Sequence, residues 1–127
     1  MRFLLIPCLL ALAACAGTAD GLEYSGAGPH VISTADLQAH LEAQDDLVVI
    51  DVRTPAEWEQ GTIEGALLFA TGEAPDRVDE LDPTQPYAII CKAGGRSARF
   101  AQLLVDQGFD LVLDVGDGMD GWYEAGR

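Results

Sequence analysis

Basic residues are scarce in this sequence. Seven Lys and Arg stand against 21 Asp and Glu in 127 residues, a formal net charge of −14 at pH 7. A nucleic-acid partner requires a cationic surface to neutralise phosphates, so that class of function is excluded. Histidine occurs only at His30 and His40. Neither has metal-ligand spacing with the other or with Cys91, so no metal is expected. His40 falls beside Leu37 and Leu41 on a helical pattern and is expected to face solvent. A glycine-rich nucleotide loop is missing, and no cofactor is expected. Cysteine is limited to Cys8, Cys15 and Cys91. There is no internal repeat, and the length implies one domain.

The first residues do not read as part of that domain. Arg2 is followed by an apolar stretch too short to span a bilayer, the pattern of a secretory signal over residues 1–14. "LAAC" (12–15) resembles the bacterial lipoprotein box, with small residues at the two positions before Cys15. The resemblance implies cleavage before Cys15, lipidation of Cys15, and an exported, membrane-anchored lipoprotein facing the periplasm or the cell exterior. "ALA" (11–13) and "ACA" (14–16) would also fit an ordinary signal peptidase. The lipoprotein reading is preferred because leucine, two alanines and cysteine fall in register directly after the apolar run. Cleavage there removes Cys8 and consumes Cys15. Cys91 is then the only free thiol in a compartment that favours disulfides, which points to a reactive thiol or an intermolecular pair. Residues 15–29, rich in Gly and Ala, read as a lipidated N-terminus and flexible tether. The compact domain is expected over residues 30–125.

Within that span apolar runs and helical patterns alternate. "HVIS" is a short strand, and Ser33 with Asp36 forms a capping box ahead of a helix. "DLVVIDV" (46–52) is apolar without alternation, which suits a strand covered on both faces. Pro55 opens a short helix ended by Gly61. "GALLF" (65–69) is a further strand, "APDRVDEL" (74–81) a short helix, and "PYAII" (86–90) a strand leading to Cys91. From Arg96 to Gln107 the polar Arg99, Gln102 and Asp106 share one narrow stripe, which predicts a mostly buried helix. "FDLVLDV" (109–115) is the last strand, with a short helix or turn after it. This rhythm predicts an α/β fold: a small parallel sheet with helices on both faces, with ligands at the carboxyl ends of the strands.

Cys91 stands at such an end. Lys92, Ala93, Gly94, Gly95, Arg96 and Ser97 follow, and then the helix. The glycines let successive backbone N–H groups turn toward one point, and the helix start adds unsatisfied N–H groups. Lys92 and Arg96 add charge. Each of these favours a thiolate, and thiols so placed ionise at roughly 3.5–7.5 instead of about 8.5. Lys92, Arg96 and Arg99 lie within eight positions, a local attractor for a small anion in an acidic chain.

"CKAGGRS" resembles the active-site loop of the rhodanese (thiosulfate sulfurtransferase) family. "VVIDVRTPAEWEQGTIEGALL" (48–68) is similar to that family's D-V-R…E…G-x-I…G-A segment, and "GFDLVLDVGDGMDGW" (108–122) to its closing G…V…G-G-x-x-x-W. The resemblance implies a rhodanese-like fold and a catalytic Cys91 that accepts a sulfane sulfur, becomes a persulfide and passes the sulfur on. Lys92, Ala93, Gly94, Gly95 and Arg96 would form the substrate-binding loop, with Arg96 as its anion-binding arginine. Asp51 and Arg53 would be supporting residues near the loop; as a plain buried ion pair at a strand end they fit equally well. Trp58 and Trp122 read as packing residues. Phosphatases of related build carry C-x5-R, a loop one residue longer, and are disfavoured here.

The chain departs from the family pattern in three places. Thr62 replaces a frequent histidine. Asp117-Gly118 replaces a glycine pair, which puts the geometry of that turn in question. Lys92 stands where arginine is common and lacks its bidentate fork. The implied partners are a small anionic sulfur donor such as thiosulfate, or a persulfide, and a thiol, thioredoxin-like or cyanide acceptor. A persulfide carrier that serves a partner protein without turning over alone is the competing function.

Overall fold

The computed structural model describes residues 21–127. The expected signal segment and the lipidation residue Cys15 lie outside the described residues. Five strands form one sheet: β1 (His30–Ile32), β2 (Val48–Asp51), β3 (Leu67–Leu68), β4 (Tyr87–Ile90) and β5 (Val112–Val115). Their order is β1-β5-β4-β2-β3, and every pairing is parallel. Four α-helices, α1 (Thr34–Glu42), α2 (Pro55–Trp58), α3 (Gly95–Asp106) and α4 (Gly118–Glu124), and a 3-10 helix (Ala74–Glu80) complete the chain. Among the described residues no helix is long and apolar enough to cross a membrane.

The continuous apolar runs have the meaning expected of them. Every residue of β4 and of β5 is buried. Tyr87 and Ile89 enter a core with Phe100, Ala101 and Leu104 of α3, whereas Ala88 and Ile90 enter a second core with Leu37 of α1 and Met119 of α4. The period of two thus divides one apolar run between both faces of the sheet. The Ser33–Asp36 capping box opens α1, with the Asp36 N–H donating to Ser33 Oγ over 3.1 Å and the Ser33 N–H to Asp36 Oδ2 over 3.1 Å.

Four expectations are corrected. The strand expected over 65–69 shrinks to Leu67–Leu68, because β3 is an edge that pairs with β2 alone. The helix after Cys91 is amphipathic rather than mostly buried: Ser97, Phe100, Ala101 and Leu104 are buried, while Ala98, Arg99, Gln102 and Asp106 are exposed. Ala98 satisfies an apolar pattern without requiring cover. The tether ends earlier than residue 29. Leu22 is 3 % exposed and belongs to the second core, and the Tyr24 ring lies 5.3 Å from that of His30.

His40 does not face solvent. Its Nδ1 lies 2.7 Å from Asp45 Oδ2 and its Nε2 2.9 Å from the Tyr24 hydroxyl. A carboxylate only accepts, so in the neutral ring Nδ1 carries the proton and Nε2 accepts from Tyr24. This clasp fastens the segment before β1 to the end of α1. We expect His40→Ala to cost about 1 kcal/mol of stability. Backbone amides of residues 22–29 should exchange hydrogen faster in that variant, with the β4 and β5 amides unchanged. Equal acceleration throughout the chain would contradict a local clasp.

Candidate active site

Cys91 follows β4 directly, at the carboxyl end of the sheet, and is 1 % exposed. The Gly94 N–H donates to its Sγ over 3.1 Å, and Sγ lies 3.5 Å from Ser97 Oγ. Burial pushes the thiol up. The Ser97 hydroxyl and the backbone N–H groups of Ser97, Gly94 and Ala93 pull it down further, and the net direction is down. Of the loop amides, that of Gly94 is in hydrogen-bond geometry with sulfur, and the Ser97 hydroxyl lies beside it.

The loop keeps this shape through backbone contact with the turn between β5 and α4. Gly94 has φ +102°, and a Cβ there would collide with the Gly116 carbonyl oxygen. Gly118 has φ +60°, and a Cβ there would strike the Lys92 carbonyl oxygen. Side chains are excluded at both positions by space as well as by torsion. The N–H groups of Met119 and Asp120 then donate to the carbonyls of Cys91 (2.8 Å) and Lys92 (3.0 Å). This answers the question raised by Asp117-Gly118. Only the second position needs glycine; Asp117 has an ordinary φ of −89°. Its carboxylate instead accepts from the Thr34 N–H and hydroxyl, each at 2.8 Å, tying the turn to the start of α1.

The cations behave differently from the sequence expectation. Lys92 Nζ pairs with Asp120 at 3.0 Å, an exposed pair. Arg96 donates through both terminal nitrogens to Glu57, at 2.6 and 2.9 Å. The bidentate face expected to meet an anion is occupied by a carboxylate of the chain itself, and Arg96 closes the loop onto α2. Arg99 is exposed. The local attractor is a set of dipoles more than a set of free charges.

Asp51 and Arg53 are 0 % and 2 % exposed and form a buried pair, with Arg53 Nη2 2.9 Å from Asp51 Oδ2. Arg53 also donates to the carbonyls of Glu57 (3.3 Å) and Gly61 (2.7 Å). It thereby fixes α2, and α2 presents Glu57 to Arg96. The pair is a buried ion pair, and its link to the loop runs through α2 and Glu57. Thr62, at the position of the family histidine, is exposed.

Sequence reasoning missed Glu57, Ser97 and Asp114 as parts of the site. Glu57 carried a visible signal, since Thr54 and Glu57 form the capping box of α2, but its second partner is 39 positions away. Asp114 sits within an apolar strand, is 5 % exposed, and accepts from Ser97 Oγ at 2.7 Å. A cleft of about 200 Å³ opens beside the loop, lined by Val52, Ala74, Arg96, Arg99, Phe100 and Leu103 among others; neither Cys91 nor residues 92–95 line it. Among the described residues no three of His, Cys, Asp and Glu are grouped to hold a metal ion.

Residues 33–125 match the family model described as Rhodanese-like domain. The chain belongs to the rhodanese family. Among its rhodanese relatives, the candidate sulfurtransferase YtwF of Bacillus subtilis is 38 % identical over 91 residues, 72 % of this chain and 87 % of that one. A sulfurtransferase of Allochromatium vinosum is 33 % identical over 95 residues, covering 75 % of this chain and 89 % of its own. A rhodanese-related protein from Thermoplasma volcanium superposes with a TM-score of 0.70 at 31 % identity, over 77 % of this chain and 94 % of that structure. Sulfur transfer or sulfur carriage of the rhodanese type follows, by a rhodanese-like fold with a five-stranded parallel sheet.

The Glu57–Arg96 contact makes a pH prediction. Arg96 holds the Glu57 carboxyl at about 2, against an ordinary 4.5. Its folded value is depressed, so its stabilisation is complete above about 4.5 and is lost as pH falls through about 2. Glu57→Gln should lower stability at neutral pH by about 1 kcal/mol, the pair being partly exposed. It should also flatten the acid limb of a denaturation-midpoint curve. An acid limb identical to wild type would show that the pair carries no stability.

Proposed function

We propose that this domain moves a sulfane sulfur from thiosulfate or a persulfide to a thiol or cyanide acceptor through a persulfide on Cys91. The observation that carries this reading is the Cys91 sulfur itself, held by loop N–H groups and the Ser97 hydroxyl that pull its ionisation down. The Cys91 thiolate attacks the outer sulfur of thiosulfate. A new S–S bond forms, the bond to the sulfonate sulfur breaks, and sulfite leaves with the electron pair. The terminal persulfide sulfur becomes the new centre of negative charge, within reach of the same donors. An acceptor thiolate then attacks that terminal sulfur, and Cys91 leaves as a thiolate. No metal or organic cofactor enters either step.

A second reading, a sulfur carrier that empties only onto a partner, is favoured by a specific observation. Lys92 and Arg96 are already paired with Asp120 and Glu57, so a small free anion meets no unopposed charge on the loop. The candidate sulfur carrier protein YrkF of Bacillus subtilis is also 32 % identical over 105 residues, although this chain spans only 57 % of its length.

Intact mass after thiosulfate treatment tests the persulfide. Wild type should gain one sulfur atom, and Cys91→Ser should gain none. A wild-type chain that takes up no sulfur would overturn the mechanism. Sulfite release with cyanide or a small thiol then separates the two readings. An enzyme sustains release, whereas a carrier gives one stoichiometric transfer and stops.

The cellular setting we propose is export and attachment to a membrane through lipid on Cys15, on the strength of "LAAC" at 12–15. Cys15→Ala should move the protein from the membrane fraction to the soluble fraction of the same compartment. Unchanged membrane recovery would overturn the anchor.

A further inference from the structure

Asp114 is out of place by ordinary burial energetics. It lies in β5, a strand covered on both faces, and is 5 % exposed. A carboxylate so placed is costly unless a cation or several donors compensate it. Among the described residues its hydrogen-bond partner is a neutral hydroxyl, Ser97 Oγ at 2.7 Å. Ser97 is fully buried and in turn lies 3.5 Å from Cys91 Sγ. A thiol, a hydroxyl and a carboxyl thus form one buried row between β4, α3 and β5.

We propose that Asp114 is the internal proton acceptor for Cys91, acting through the Ser97 hydroxyl, so that the thiolate forms without water at sulfur. This rests on the reading of Cys91 as the sulfur-bearing nucleophile. In the resting arrangement the Cys91 thiol donates to Ser97 Oγ, and the Ser97 hydroxyl donates to Asp114 Oδ1 while also facing the Gly94 carbonyl at 3.1 Å. One relay step breaks the S–H bond and leaves its electron pair on sulfur. Ser97 Oγ receives that proton and passes its own to Asp114 Oδ1. The carboxylate becomes neutral, the thiol becomes a thiolate, and total charge is unchanged. Asp114 now donates to Ser97 Oγ, and the Ser97 hydroxyl turns toward the thiolate. Asp114 is a positioning residue in this scheme, since it reaches sulfur only through Ser97.

The neighbouring ionisable groups are engaged elsewhere. On the loop and α3, Lys92 pairs with Asp120, Arg96 with Glu57, and Asp106 accepts from Gln102, while Arg99 is exposed. On β2, Asp51 pairs with Arg53. Beyond β5, Asp117 accepts from Thr34, and His30 of β1 lies against Tyr24. That leaves Cys91 as the titratable group on Asp114's hydrogen-bond path. Burial pushes the Asp114 carboxyl up while the loop pulls the Cys91 thiol down, so the two approach each other. Groups coupled this closely lose protons in two macroscopic steps belonging to the pair.

The test is the pH dependence of haloacetamide alkylation at Cys91 in the full chain, read by peptide mass so that Cys8 and Cys15 do not contribute. No sulfur donor is used, so this test can fail while sulfur transfer stands, and the reverse. Wild type should show two inflections about 1 pH unit or more apart, with a partial plateau between them. Asp114→Asn preserves shape and mimics the neutral carboxyl. It should show one inflection lying between the two of wild type. A profile superimposable on wild type would overturn the proposal. Ser97→Ala, which severs the row and removes the hydroxyl that both ends share, should lose the intermediate plateau, and Ser97→Thr should restore it. A wild-type profile in Ser97→Ala would overturn the route through Ser97.

Discussion

The close approach of two backbones organises this molecule's chemistry. The loop after β4 and the turn after β5 meet with no side chain between them, at Gly94 against Gly116 and at Gly118 against Lys92. The first amides of α4 bind the carbonyls of Cys91 and Lys92 from behind. Those carbonyls are fixed on one side, so the loop's N–H groups are free to point toward sulfur on the other. Parallel pairing of β4 with β5 brings the two segments to the same end of the sheet. The glycines let them touch, and Asp117 clamps the turn to α1. Sheet, turn and loop are therefore one arrangement, and the placing of the Cys91 thiol is its product.

Electrostatics in the site work by short-range dipoles within a strongly acidic chain. Each loop cation has been given an acid of its own, and the buried Arg53 has Asp51. This pairing gives both arginines a part in the architecture. Arg53 holds α2, α2 presents Glu57, and Glu57 holds Arg96 at the base of α3. The chain of contacts begins at the buried Asp51–Arg53 pair at the end of β2 and ends at the loop after β4.

Much of the fold was legible because it rests on local rules. Apolar-rich runs without alternation at 48–51, 87–90 and 112–115 mark doubly covered strands, and Ser33 with Asp36 marks a helix start. Cys91 and its loop were legible through glycine, charge and position at a strand end. What was not legible depends on distant partners. Arg96 in sequence is a free cation; only folding brings Glu57 to it. Asp114 in sequence is one acid in an apolar strand, and its meaning appears when Ser97 arrives from α3. Leu22 and Tyr24 hide in a segment of small residues because composition averages over the two side chains that pack. The extra exposure of α3 has a similar origin, since alanine reports helix and not burial.

The Tyr24–His40–Asp45 clasp also sets an orientation. It sits at the amino ends of the strands, where α1 has finished and β2 has not begun, and Gly21 lies against Asp45 there. Cys91 sits at the carboxyl ends. The clasp and the thiol therefore lie at opposite ends of the sheet. What fastens the segment before β1 is thus remote from the sulfur, and loosening it would reach Cys91 only through the sheet.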